Sequence, residues 1–92
     1  MPQISSKKKD KISEQVLAHL FSQSPEPQFT ASIARELARD EEFIKSILHD
    51  LEKRKLVIKV TKNAQGLDFI RRQRWRLSNQ TFAFYQRAQQ SL

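Results

Sequence analysis

The chain has 92 residues, with 17 Lys and Arg against 10 Asp and Glu, a net charge of +7, no cysteine and one glycine, Gly66. These counts exclude glycine-rich phosphate cradles, Cys-ligated zinc modules, disulfide scaffolds and thiol nucleophiles, and they leave so small a domain to hold together by core packing alone. No apolar run approaches a membrane span, and the basic start "MPQISSKKKDK" leads into no secretory apolar segment, so an intracellular protein, cytoplasmic or nucleoid (nuclear in a eukaryote) and with no membrane contact, is expected.

Residues 1–9 read as a flexible basic segment carrying Lys7, Lys8 and Lys9. A first helix is predicted over about 8–22, where Ile12, Val16, Leu17, Leu20 and Phe21 recur at helical spacing. Pro25 and Pro27 in "SPEP" stop it, because proline biases its predecessor toward extended geometry. Phe29 reads as a buried extended residue. Thr30 is the expected N-cap of a second helix over about 31–38, with Ile33, Ala34 and Leu37 inward. Asp40 is placed to cap a third helix, whose Glu41 and Glu42 suit the positive end of its dipole. Phe43, Ile44, Ile47, Leu48 and Leu51 form the inward stripe of that helix, and Lys45, Ser46, His49, Glu52 and Lys53 face out.

The apolar period then falls from 3.6 to 2. In "LVIKVTK", Leu56, Ile58 and Val60 alternate with Val57, Lys59 and Thr61, as in a half-buried strand. "NAQGLD" supplies turn chemistry, and "FIRRQRWRLS" returns with Trp75 and Leu77 on one side and Arg74 and Arg76 on the other. A last helix is expected over 79–90, capped by Asn79, with Phe82, Tyr85 and Gln89 on one stripe and Phe84 with Ala88 beside it.

Charge is unevenly placed along this order. Residues 1–46 carry seven cations and seven anions, whereas residues 47–92 carry ten cations and three anions, so the whole excess lies in the second half. Residues 59–76 hold Lys59, Lys62, Arg71, Arg72, Arg74 and Arg76 against Asp68 alone. A single-sign field this concentrated favours a polyanion partner, nucleic acid first.

Helix, short strand, helix, tight turn, helix and basic hairpin over residues 10–78 resemble the winged helix-turn-helix superfamily of DNA-binding domains. The most specific part is "FTASIARELARDEEFIKSILHDLEKRKLVIKV". The resemblance implies a mainly α fold with a small antiparallel β-hairpin (α+β), in the order α-β-α-α-β-β; beyond its reach, a C-terminal helix at 79–92 is expected to pack or dimerise. Such domains often carry glycine where this chain has Lys55, and in the turn that here reads Ala38-Arg39-Asp40. Z-DNA-binding winged helices place Asn, Tyr and Trp where this chain has Lys45, His49 and Trp75; only Trp75 fits, and the expected Pro pair is Gln73-Arg74, which disfavours that type.

The implied interface has two parts. Lys45, Ser46, His49 and Lys53 lie on the outward face of the third helix, where each can meet a base edge or a phosphate in the major groove. Lys59, Lys62, Arg71, Arg72, Arg74 and Arg76 form a wing, with Arg72, Arg74 and Arg76 aligned along one strand face for phosphate contact; Arg35 and Arg39 could touch the backbone beside the groove. Against this stand the plain solvated face of an amphipathic helix, the use of wing charge to blunt an edge strand, and Asp40, Glu41 and Glu42, which would repel phosphate. His19 and His49 have no partners at metal-ligand or acid–base spacing, so no enzyme, metal or cofactor is expected. The expected function is a sequence-reading or architectural double-stranded DNA binder in transcription regulation, with a protein-interaction module within a larger complex as the alternative. Charge does not separate RNA from DNA. Phe82, Phe84 and Tyr85 span more than one stripe, which leaves a face for a homodimer or a protein partner.

Overall fold

The computed structural model describes residues 6–60 and 73–90, with side chains described over 7–60 and 73–89. In chain order the elements are α1 (Ser6–Gln23), β1 (Gln28–Phe29), α2 (Thr30–Glu36), α3 (Glu41–Lys53), β2 (Val57–Val60), β3 (Arg74–Leu77) and α4 (Asn79–Gln90). The expected turn at Asn63 and Gly66 and the candidate residues Lys62, Arg71 and Arg72 lie outside the described residues.

α1 begins before the lysine tract, so Lys7, Lys8 and Lys9 sit exposed in its first turns rather than ahead of it. Lysine is a good helix former, and no breaker intervenes there. Ile12, Val16, Leu17 and Leu20 are buried as their spacing requires. They meet Ile33 and Ala34 of α2, Ile44, Ile47, Leu48 and Leu51 of α3, and Val57, Trp75 and Leu77 of the sheet in one core.

Thr30 does not cap α2. It is the first residue of the helix, Phe29 holds the cap position without a side-chain bond, and the Thr30 hydroxyl instead accepts from Trp75 Nε1 at 2.8 Å. Asp40 does cap α3, its Oδ2 accepting from the Phe43 amide at 3.1 Å. At the start of α4 the cap is Ser78, whose Oγ accepts from the Thr81 amide at 3.2 Å; Asn79 lies inside the helix. Ser and Asn are comparable caps, so adjacent Ser78 and Asn79 leave the exact start of the helix undecided by residue type.

Helices α2 and α3 end alike. The Arg39 amide donates to Ala34 O and the Ala38 amide to Arg35 O, while Leu56 and Lys55 donate to Leu51 O and Glu52 O in the same pattern. These are paired Schellman closures, which require a left-handed residue just past the helix end. Ala38 (φ 54°) and Lys55 (φ 63°) occupy those positions without being glycine.

The sheet is three-stranded and antiparallel, in the order β1-β3-β2, so the strand carrying Arg74 and Arg76 is central. Trp75 and Leu77 face the core as expected. In β2 Val57 is buried and Ile58 is exposed. Val57 pairs with Leu77 and Ile58 with Arg76, and directly opposed residues share a sheet face. Since Leu77 is inward, Val57 must be too; a one-residue shift in pairing exchanges the faces of a whole strand. α4 closes the far side, with Phe82 and Tyr85 packed on Phe21 of α1 at ring centroid distances of 5.4 and 5.5 Å.

Candidate nucleic-acid interface

Because Ile44, Ile47, Leu48 and Leu51 are buried, α3 must turn the opposite side outward. Lys45, Ser46 and Lys53 are exposed there, and His49 is half-buried. The Ser46 hydroxyl donates to Phe43 O at 2.7 Å, so its proton is held within the helix and it offers a ligand only acceptor capacity. The carboxylates of this region are unequal. Asp40 is occupied by the cap, Asp50 pairs with Arg54 at 3.5 Å, and Glu52 lies 3.7 Å from His49 Nδ1. Glu41 and Glu42 remain exposed in the first turn, where they complement the helix dipole and would repel a phosphate.

The wing cations divide between the two sheet faces. Lys59 is opposite Trp75 and shares its inward-facing side, with Nζ 5.6 Å from the indole centroid, close to α3. Arg74 and Arg76 lie on the outer face beside Phe29 and Ile58. The Arg74 guanidinium sits 5.7 Å from the Phe29 ring centroid. Arg76 Nη1 donates to Leu77 O at 3.0 Å and approaches Asn79 Oδ1 at 3.5 Å, which draws it toward the start of α4. Lys59 and these arginines, expected together on one wing, are separated by strand alternation. An edge strand was the other expected account of this charge. The strand is central, so blunting an edge does not account for Arg74 and Arg76. Arg35 on α2 and Arg39 after it are both exposed.

Trp75 is the residue whose role the sequence left open. It is fully buried, bonded to Thr30, edge-on to His49 at 5.5 Å and beneath Lys59. Its alternation with two arginines marked it as inward, but nothing local signalled that α3 and β2 would each bring a basic group to it.

An open groove of about 580 Å³ runs between α1, the α3–β2 turn and α4, lined by Leu17, Lys55, Leu56, Phe84 and Tyr85 among others. Phe84 is 63% exposed. Burial raises the Tyr85 hydroxyl above its ordinary pKa of 10.0, and the charge of Glu14 adds to the effect. Among the described residues no cluster of three or more His, Cys, Asp or Glu could hold a metal ion, and no helix is long and apolar enough to cross a membrane.

No protein-family model matches the chain, and no curated protein matches it in sequence. Solved structures do. A variant of Staphylococcus aureus MepR superposes with a TM-score of 0.68 at 21% identity, covering 84% of this chain and 53% of that one. MepR in complex with DNA gives 0.68 at 19%, covering 92% and 70%. A variant of Lactococcus lactis ZitR gives 0.68 at 17%, covering 98% and 57%. MepR is described as a transcription regulator of the multidrug efflux pump MepA. This chain spans little more than half the length of the first and third of these proteins. At such identities the likeness establishes the fold, which is a winged helix-turn-helix.

Proposed function

We propose that this chain binds double-stranded DNA inside the cell and acts in transcription regulation, by binding and not by catalysis. The observation that carries this reading is the outward face of α3, with Lys45, His49 and Lys53, on a fold like that of MepR, which has been solved on DNA. Residues 10–78 form the DNA-binding unit. α3 enters the major groove, Lys45 reaches base edges, and Lys59, Lys62, Arg71, Arg72, Arg74 and Arg76 hold phosphates, with Arg35 and Arg39 on the flanking backbone.

The test is a binding titration against duplex DNA, single strands and RNA in parallel, over a range of salt. If about five cations each neutralise a phosphate, log K falls with log[salt] at a slope of about −4 to −5. Arg72→Ala and Arg74→Ala should weaken all sequences alike, whereas Lys45→Ala should change sequence preference. Failure to bind any duplex at low salt overturns the reading, and a preference for RNA redirects it.

A second reading concerns assembly and has its own support. Arg87 is the only charged residue from 79 to 92, and α4 leaves Phe84 exposed beside the groove. A solvent-facing helix with one charge and an exposed aromatic suits a second copy or another protein. Sedimentation of the wild type and Phe84→Asp distinguishes a dimer from a monomer.

A further inference from the structure

Side chains against a fully buried tryptophan are ordinarily apolar. Trp75 instead has two basic neighbours, brought by two different elements to the seam between α3 and β2. His49 meets the indole edge to face, with centroids 5.5 Å apart and planes at 90°. Lys59 holds its ammonium 5.6 Å from the indole centroid. The indole is itself fixed, because Nε1 donates to the buried Thr30 hydroxyl at 2.8 Å, across 45 residues of sequence.

The geometry points to a joint seat for one backbone phosphate of bound nucleic acid, formed by His49 and Lys59 and positioned by Trp75. This rests on the DNA-binding reading above and sharpens it. There, His49 could serve a base edge or a phosphate; here it belongs with Lys59 on phosphate, and base reading is left to Lys45.

Three physical arguments support the seat. An ammonium over an indole face is attracted to the ring yet keeps its N–H donors for an outside acceptor. His49 turns Nδ1 toward Glu52 Oε1 at 3.7 Å; in the protonated imidazole both ring nitrogens donate, so Nδ1–H serves Glu52 while Nε2–H, which engages no hydrogen bond among the described residues, serves the phosphate. Both side chains are half-buried, whereas Lys45 and Lys53 are exposed, so less conformational freedom is lost when the seat is occupied. A phosphodiester, with one negative charge and two unesterified oxygens, can accept from both groups at once.

Trp75 is the only tryptophan, so its emission reports this seam directly. The full chain is titrated with labelled duplex at several salt concentrations, reading duplex anisotropy and Trp75 emission together, for wild type, His49→Gln, Lys59→Met, Lys59→Arg and the His49→Gln/Lys59→Met double variant. Wild-type emission should change on saturation. His49→Gln and Lys59→Met should each weaken binding roughly 3- to 10-fold whatever the duplex sequence. The double variant should lose less than the product of the two, and its salt slope should fall by about 0.9, the value for one phosphate and not two. Lys59→Arg should retain binding.

A double variant with wild-type affinity and slope, or tight binding that leaves Trp75 emission unmoved, overturns the seat while the DNA-binding reading stands. So does a change in sequence preference in His49→Gln, which would return that residue to base reading. A wild-type chain that binds no duplex overturns both. Trp75→Phe tests positioning: if it stays folded by circular dichroism, His49→Gln and Lys59→Met should become additive in its background.

Discussion

Replacing Ala38 or Lys55 with glycine should stabilise the protein, although glycine is ordinarily the poorest choice beside a helix-forming residue. Both residues have left-handed backbone angles, φ 54° and 63°, imposed by the Schellman closures of α2 and α3. A side chain with a Cβ costs about 1–2 kcal/mol in that region. Glycine removes that strain but gives the unfolded chain more freedom, worth roughly 0.5–1 kcal/mol against folding. The net expectation is a gain of about 0.5–1 kcal/mol at each site. For 92 residues, an unfolding entropy of about 2.1 cal/mol/K per residue makes 1 kcal/mol equivalent to about 5 °C in Tm. Each variant should therefore melt about 3–5 °C higher by far-UV circular dichroism, with matching midpoints in urea. The control is Ala18→Gly on the exposed side of α1: the same chemical change in a right-handed helix should cost about 1 kcal/mol. Lys55→Gln, which removes the charge but not the Cβ, should give no such gain. If Ala38→Gly falls in Tm as Ala18→Gly does, the assignment of strain to these closures is wrong.

Thr30→Val keeps the shape of the side chain but leaves the buried Trp75 Nε1–H without its acceptor, and should cost about 1–3 kcal/mol in urea unfolding, while Thr30→Ser should stay near wild type. Tyr85 is the only tyrosine, so absorbance near 295 nm should show its hydroxyl titrating above pH 10. Its folded pKa is raised, so its contribution to stability is complete below the unfolded value and is lost as pH rises through the folded one. Wild type should lose stability in that alkaline window, and Tyr85→Phe should lose less. Glu41→Gln and Glu42→Gln remove exposed carboxylates at the start of α3; duplex affinity should rise a few-fold at low salt, and unchanged affinity would mean that this turn lies away from the phosphates.

The helices were legible because each carries its own evidence. The apolar stripe of α3 and the Asp40 cap lie within a few residues of one another, and both are observed as the pattern implies. The sheet was less legible. The two-residue β1 carries no periodicity to read, and it joins β3 through pairs such as Phe29 with Arg74 that no local pattern announces. The stretch 56–60 has apolar residues at both parities, Leu56, Ile58 and Val60 on one and Val57 on the other, so alternation alone could not say which set was inward. The candidate interface shows the same division. That Lys45 and Lys53 are exposed follows from the helical period, but the separation of Lys59 from Arg74 and Arg76 depends on strand register.

The sequence by itself determined the order of elements, the core-facing stripes of the helices, the inward Trp75 and Leu77, and the concentration of charge in the second half of the chain. These follow from spacing and composition within short windows, where one residue constrains its near neighbours. Only the tertiary structure decided which face of β2 is buried, that the arginine strand is central, that Thr30 serves Trp75 and not a helix end, and that His49 and Lys59 converge on one ring. Each of those depends on a contact between residues far apart in the chain. Such contacts are selected by how the whole core packs and how its strands pair, and no local stretch of sequence encodes them.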